Sequence, residues 1–477
     1  MLRIPSIIDG KEIDPPDAMA VIDPSTGQQW AEAGRCTPAE IDLAVEAARN
    51  AYEKTWADTS AAERGRLLRK LGELVKRDGE RLAENETRDV GKPIRQSRND
   101  VIAVARYFEY YGSICESLDG DTLQTPPSVM AFTIREPFGV TGHITPWNYP
   151  LQMTARTVAP SLAAGNCCVH KPAEDTPVNA VEIARLALEA GFPPGVYNVV
   201  NGQGAVIGDA LTRAAVDHVS FTGSRPVGEL VAHNAARQVI PCVLELGGKS
   251  PNIVFPDADL DLAVPLIVNA IIQNAGQTCS AGSRLLVHRD VYDEVVGRVA
   301  AKFNALGLGK GIDDPDVGPI VSAKQLETVS RLVQAGIDAG DGELLAGGGK
   351  PDDPSLGGGF FFRPTLFGGV SERSMVFQEE IFGPVLVATS FTDEADAIRM
   401  ANNTEFGLVA AVWTRDVGRA LRVARKVKSG QVFVNTYGAA GGVELPFGGW
   451  KKSGYGREKG FEGMLGYTQT KTIAVGL

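Results

Sequence analysis

From about residue 142 the chain alternates short apolar runs with longer amphipathic ones, and this limits the folds open to it. Residues 166–171 read as a strand and 177–190 as a helix. Residues 196–200, 218–221 and 242–246 read as further strands, with helices over 205–212 and 227–237 between them. Strand and helix in strict alternation imply a parallel sheet covered by helices, an α/β fold. Glycine-rich turns follow several of these strands, where open α/β sheets place their ligands. A second α/β region spans about 250–446. Within it, residues 341–359 are rich in glycine and acid and read as a surface loop.

The N-terminal part has a different pattern. Residues 38–116 read as helical, because apolar positions recur at helical spacing in 41–51, 67–75 and 101–114. Thr37 and Thr59-Ser60 are the expected N-caps. After Pro126-Pro127 the stretch 129–134 alternates like a strand lying outside the helical layer. The tail 467–475 alternates threonine with other residues and also reads as a strand. Two partners are open to it: the 129–134 stretch or another subunit.

With 477 residues there is room for two or three domains with ample core. The formal charge of −11 disfavours nucleic acid and anionic membrane as partners but leaves small anionic ligands open. No run of 18 apolar residues is present, so no spanning helix is expected. The first ten residues lack a basic region followed by an apolar core, so no secretory signal is expected either. The six cysteines form no CxxC pair, and their scatter fits a reducing, cytoplasmic setting. The five histidines are scattered and give metal catalysis no support.

Two segments carry chemistry. Gln277-Thr278-Cys279-Ser280-Ala281-Gly282 sets one cysteine among small and polar neighbours, and Leu244-Glu245-Leu246-Gly247-Gly248-Lys249 sets one carboxylate before a glycine turn. A thiol that attacks and a carboxylate that takes a proton make a minimal covalent catalyst. Either alone decides nothing, since most cysteines are small buried hydrophobes.

Other segments have a plain structural reading beside a functional one. Gly202-Gln203-Gly204…Gly208 imitates a dinucleotide fingerprint with the wrong spacing and reads as a turn and helix start. Gly248-Lys249-Ser250 lacks the earlier glycine of a phosphate loop, because Val243 stands there. Phe221-Thr222-Gly223-Ser224 ends a strand and opens a helix, where unpaired N–H groups suit a phosphate. Lys171-Pro172-Ala173-Glu174 is a solvated turn or a clasp for a ribose diol. Pro146-Trp147-Asn148-Tyr149-Pro150 is a rigid aromatic turn, or one that holds an amide ready for an oxyanion. Residues 378–384 are an acidic turn or a ligand loop.

Taken together and in this order, the motifs PWNYP, KPAE, FTGS, LELGGKSPNIVF, GQTCSAGSR, EEIFGPV and PFGGWKKSGYGRE resemble the aldehyde dehydrogenase superfamily, its NAD(P)-dependent hydrolytic type. The likeness runs from about Ile8-Asp9-Gly10 to Thr472. It implies a Rossmann-variant cofactor domain (1–118 and 142–246), an α/β catalytic domain (247–446) and a small β oligomerisation domain (119–141 with 447–477).

By that resemblance Cys279 is the nucleophile, Asn148 and the Cys279 N–H receive the oxyanion, and Glu245 activates the water that hydrolyses a thioester. Lys171 and Glu174 hold the adenosine ribose, Gly223 and Ser224 lie at the pyrophosphate turn, and Glu380 and Phe382 hold the nicotinamide ribose and ring. Trp147 lies at the junction of cofactor and substrate. A carboxylate at the 2′-hydroxyl favours NAD over NADP. Arg156 matches the position where semialdehyde dehydrogenases and some aromatic-aldehyde dehydrogenases carry arginine. It implies an aldehyde with a distal polar or anionic group. The loop 437–444 is expected to line the tunnel mouth, its small residues leaving room for a ring. The resemblance also implies a homodimer or homotetramer. A coenzyme A-acylating relative and a non-catalytic structural protein of the same fold are the alternatives. Glu245 argues against the first, and retention of Cys279, Glu245 and Asn148 against the second.

Overall fold

The computed structural model describes residues 1–438 and 442–477. Part of the expected tunnel-mouth loop, Ala439, Ala440 and Gly441, lies outside the described residues. An eight-stranded sheet runs in the order Gly454–Tyr455, Cys242–Glu245, His218–Thr222, Val140–Ile144, Cys167–Lys171, Tyr197–Val199, Ser6–Ile8, Lys11–Ile13. Its five central strands are mutually parallel and the outer pairings antiparallel. Strands such as Cys167–Lys171 and His218–Thr222 are buried throughout rather than on alternate residues. That is the pattern of a sheet covered on both faces.

The helical stretch resolves into Pro38–Ala51, Ala61–Arg77, Gly79–Val90 and Ile94–Ile114. Thr37 donates its N–H to Glu40 at 2.7 Å, and Ser60 Oγ accepts the Glu63 N–H at 3.2 Å, so both expected caps hold.

A seven-stranded sheet runs Glu343–Ala346, Thr365–Gly368, Val385–Phe391, Arg284–His288, Pro251–Val254, Val409–Trp413, Gln431–Val434. All its pairings are parallel except that of Glu343–Ala346. That edge strand lies inside the stretch read as loop. Its Leu344-Leu345-Ala346 core is too short, between glycine-rich flanks, to stand out without its partner Thr365–Gly368.

The tail strand Thr468–Gly476 pairs antiparallel with Val129–Pro137 of the same chain, in register from Thr468 opposite Pro137 to Gly476 opposite Val129. The C-terminal segment is divided, because Gly454–Tyr455 joins the edge of the eight-stranded sheet beside Cys242–Glu245. A small sheet of Leu2–Ile4, Gln28–Gly34 and Ala18–Asp23 has no counterpart in the sequence reading. No helix among the described residues is long and apolar enough to cross a membrane.

Candidate active site

Three loops meet around Cys279. The helix Leu260–Ile272 gives way to a turn in which Asn274 (φ 48°) and Ala275 (φ 52°) take left-handed conformations. Such residues persist only where their surroundings hold them. Here Asn274 N–H donates to Gln96 Oε1 at 3.0 Å, and Asn274 Nδ2 to the Asn148 carbonyl at 2.7 Å. Gln277 Nε2 donates to the Asn274 carbonyl at 2.9 Å, and Val321 N–H to Gln277 Oε1 at 2.9 Å.

The chain therefore enters Cys279 in a fixed direction. Asn148 Nδ2 donates to the Gln277 carbonyl at 2.9 Å, two residues before the thiol. Tyr149 Oη and Thr278 Oγ1 lie 2.9 Å apart. A Cβ on Gly248 would stand 2.7 Å from the Cys279 carbonyl oxygen, so the glycine turn after Glu245 touches the cysteine loop directly. Cys279 itself is half-buried at a cavity of about 670 Å³, which Tyr107, Arg156, Phe433, Tyr437, Phe447 and Lys459 also line. That volume is ordinary for a small-molecule site.

Glu245 ends the strand Cys242–Glu245, is buried, and among the described residues has neither carboxylate oxygen hydrogen-bonded. Burial, reinforced by Glu458 and opposed by Arg156, holds it well above the usual carboxylate range. The Arg156 Nη2 stands 3.8 Å from Glu245 Oε2, and its Nε lies against Glu458. The guanidinium also lies over the Phe447 ring, 4.1 Å from its centroid. Burial works against the Arg156 charge, but Glu458, Tyr107 and Glu245 together outweigh it and keep it cationic. Burial pushes the Cys279 thiol up to about 12, with Arg156 opposing and Glu245 adding.

The sequence reading assigned no role to Glu458. Its signal was the motif itself: a glutamate closing PFGGWKKSGYGRE, in a backbone bridge with Phe447.

The expected cofactor residues fall in two groups. Lys171, at the end of Cys167–Lys171, donates to Glu174 Oε2 at 2.8 Å. Glu174 Oε1 accepts the Gly204 N–H at 3.1 Å, so the turn read as a decoy adjoins the clasp. A Cβ on Gly204 would lie 3.4 Å from Glu174 Oε2 and 3.5 Å from Lys171 Nζ, so the turn packs directly on the clasp. Gly223 donates to the Glu245 carbonyl at 3.1 Å, and Ser224 stands exposed as N-cap of Arg225–Gln238.

In the second group, Glu380 Oε1 accepts the Gly248 N–H at 3.0 Å, and burial pushes its carboxyl up to about 7. Trp147 and Phe382 meet edge to face at 5.3 Å. The donor set fits a dinucleotide: a lysine–carboxylate clasp, a helix N-terminus, and a carboxylate beside the Cys279 loop.

A buried network behind Asn148 also escaped the sequence reading. Lys92 Nζ donates to Glu86 Oε1 at 3.0 Å and Asp100 Oδ2 at 2.7 Å, and lies 4.0 Å from the Tyr149 ring centroid. Glu86 Oε2 accepts the Leu151 N–H at 3.2 Å, and Asp100 Oδ1 accepts from Gln152 Nε2 at 2.6 Å. Both acids thereby hold the start of the helix Pro150–Ala164, which follows Asn148 and Tyr149.

Residues 12–473 match the family model described as "Aldehyde dehydrogenase family". The chain is 40% identical over 472 residues to betaine aldehyde dehydrogenase of Bacillus subtilis (strain 168), covering 98% of this chain and 96% of that protein. It is 42% identical over 462 residues to human retinal dehydrogenase 2, covering 95% and 88%. Among solved structures, the NAD+ complex of an aldehyde dehydrogenase from Bacillus cereus superposes with a TM-score of 0.97 at 37% identity, covering 100% of this chain and 97% of that one. The chain belongs to the aldehyde dehydrogenase family.

Proposed function

We propose that the protein oxidises an aldehyde to the carboxylic acid with NAD, through a thioester on Cys279. The observation that carries this reading is the meeting of three loops: Asn148 bound to the Gln277 carbonyl, Gly248 against the Cys279 carbonyl, and Cys279 at the cavity. Cys279 gives its thiol proton to solvent water, and the thiolate attacks the carbonyl carbon. The oxyanion finds the Asn148 amide and the Cys279 N–H, which donates to no group among the described residues. A nicotinamide dinucleotide, when bound, supplies the hydride acceptor. Lys171 and Glu174 hold the far ribose of that group, Gly223 and Ser224 its phosphates, and Glu380, Phe382 and Trp147 its reactive end.

Glu245 then takes a proton from the water that attacks the thioester, and Cys279 leaves as the thiolate. Burial and Glu458 hold the Glu245 carboxyl well above its usual range, which makes it a stronger proton acceptor than an exposed carboxylate.

Aromatic walls from Tyr107, Phe433 and Phe447, with Arg156 and Lys459 among them, support an aromatic aldehyde or a semialdehyde with a distal polar or anionic group. The exposed strand Thr468–Gly476 supports a homodimer or homotetramer. The test is a panel of aldehydes with NAD, followed by NADH absorbance for wild type and Cys279→Ala. Turnover lost in the variant supports the reading; turnover retained overturns it.

A further inference from the structure

Among the described residues three cations line the cavity, and two are already paired. Arg106 pairs with Glu444 at 2.5 Å, and Arg156 pairs with Glu458. Lys459 has no carboxylate within 4.0 Å and donates no side-chain hydrogen bond among the described residues; its Nζ stands 5.9 Å from the Phe447 ring centroid.

Its backbone is unusual. Lys459 has φ 63° and ψ 167°, a region that glycine occupies and other residues rarely do. Both neighbours pin it there. Glu458 and Phe447 exchange backbone hydrogen bonds of 2.8 and 2.7 Å. Gly460 N–H donates to the Val443 carbonyl at 2.7 Å, and Tyr111 Oη donates to the Gly460 carbonyl at 3.1 Å. The chain therefore accepts an unfavourable conformation at the one residue whose ammonium is left without a partner at the cavity wall.

We propose that Lys459 is the specificity-determining cation, holding the carboxylate of an aldehyde that carries one at its far end. This rests on the dehydrogenase reading above and names the substrate class of the same site. Arg156 supplies positive potential nearby, but its own charge is answered by Glu458. Desolvation makes the lysine selective, since an ammonium withdrawn from water gains most from an anion that arrives with its substrate.

The groups facing Lys459 are Arg156 from the helix Pro150–Ala164, Glu444, Glu458 and Cys279. Burial, with Arg156 adding and the two glutamates opposing, pushes its ammonium down to about 8. The cation is present below that pH and lost above it.

The experiment compares 4-carboxybenzaldehyde with 4-methylbenzaldehyde, and succinic semialdehyde with butanal, in wild type, Lys459→Gly and Lys459→Arg. Glycine suits the backbone at this position, so the first variant removes the ammonium without strain. The ratio of kcat/KM, charged over neutral, is expected to fall about ten- to a hundredfold in Lys459→Gly. It should persist in Lys459→Arg, and in wild type it should decline as pH rises through about 8. A ratio unchanged within about twofold, or equal losses for both members of a pair, overturns the proposal.

A binding arm needs no turnover. The ketones 4-acetylbenzoate and 4-methylacetophenone are compared for protection of Cys279 against iodoacetamide. Better protection by the anion in wild type but not in Lys459→Gly, with no aldehyde oxidised, would sink the dehydrogenase reading and keep the anion site. Equal protection by the two ketones overturns the anion site.

Discussion

The Arg156 guanidinium rests against the Glu458 carboxylate, their side chains only 7% and 1% exposed. With Glu245 at 3.8 Å, one cation serves two buried acids at the cavity that Cys279 lines.

Removing that cation should shift the acid limb of catalysis. Arg156 opposes the upward push on Glu245, so its loss raises Glu245 further. A base held protonated to higher pH works only at higher pH. Arg156→Leu should therefore move the acid limb of the kcat profile upward, with Arg156→Lys closer to wild type. Breaking a buried pair also costs about 3–5 kcal/mol, which urea denaturation will read. An acid limb that stays put would disconnect Arg156 from the base.

Glu245→Gln should separate the two half-reactions. Hydride departs before the thioester is hydrolysed, so the variant should release a burst of about one NADH per site and then stall. Rapid-mixing absorbance reads it. Disappearance of the burst would assign Glu245 to thiol activation as well.

The legible parts of this molecule were those whose chemistry is written locally. Four of the five parallel strands between 140 and 245 show as short runs alternating with helices, Val140–Ile144 being the one not read, and Thr37 and Ser60 announce their helices by the residues that follow. The site was legible as separate motifs, but its wiring was not. Lys92, Glu86 and Asp100 come together only when Gly79–Val90 and Ile94–Ile114 pack side by side, and a buried lysine looks like a surface one in sequence. Glu458 reaches Arg156 across 302 positions of chain, a distance no periodicity records. Arg156 was legible as a cavity residue, but not as an arginine already paired. The strand Glu343–Ala346 was hidden because an edge strand owes its form to its neighbour.

Cys279 should be a slow nucleophile in the free enzyme. With burial holding the thiol up at about 12, its thiolate fraction rises about tenfold per pH unit across the neutral and mildly alkaline range. Iodoacetamide labelling, located by peptide mapping to separate it from half-buried Cys242, should follow that slope. A rate that levels off above about pH 9.5 would show a normal thiol.

Glu174→Ser should improve the use of NADP relative to NAD. The carboxylate that accepts from Lys171 and Gly204 would repel a 2′-phosphate, and its removal frees the Lys171 ammonium to meet one. A shift of about tenfold in the ratio of the two kcat/KM values is expected. An unchanged ratio would place cofactor choice elsewhere.

Lys92→Met should destabilise the protein and slow it together. The substitution strands Glu86 and Asp100 without their cation, which costs about 3–5 kcal/mol. It also strips the ammonium from the face of Tyr149, whose hydroxyl meets Thr278 next to Cys279. The triple change Glu86→Gln, Lys92→Met, Asp100→Asn leaves no unpaired charge and should recover much of the stability. Tyr149 still lacks its cation in that variant, so kcat should stay low while the urea midpoint returns. A kcat that recovers in step with the midpoint would reduce the network to a folding role, whereas a kcat that lags behind ties Lys92 to the placement of the Asn148–Tyr149 turn.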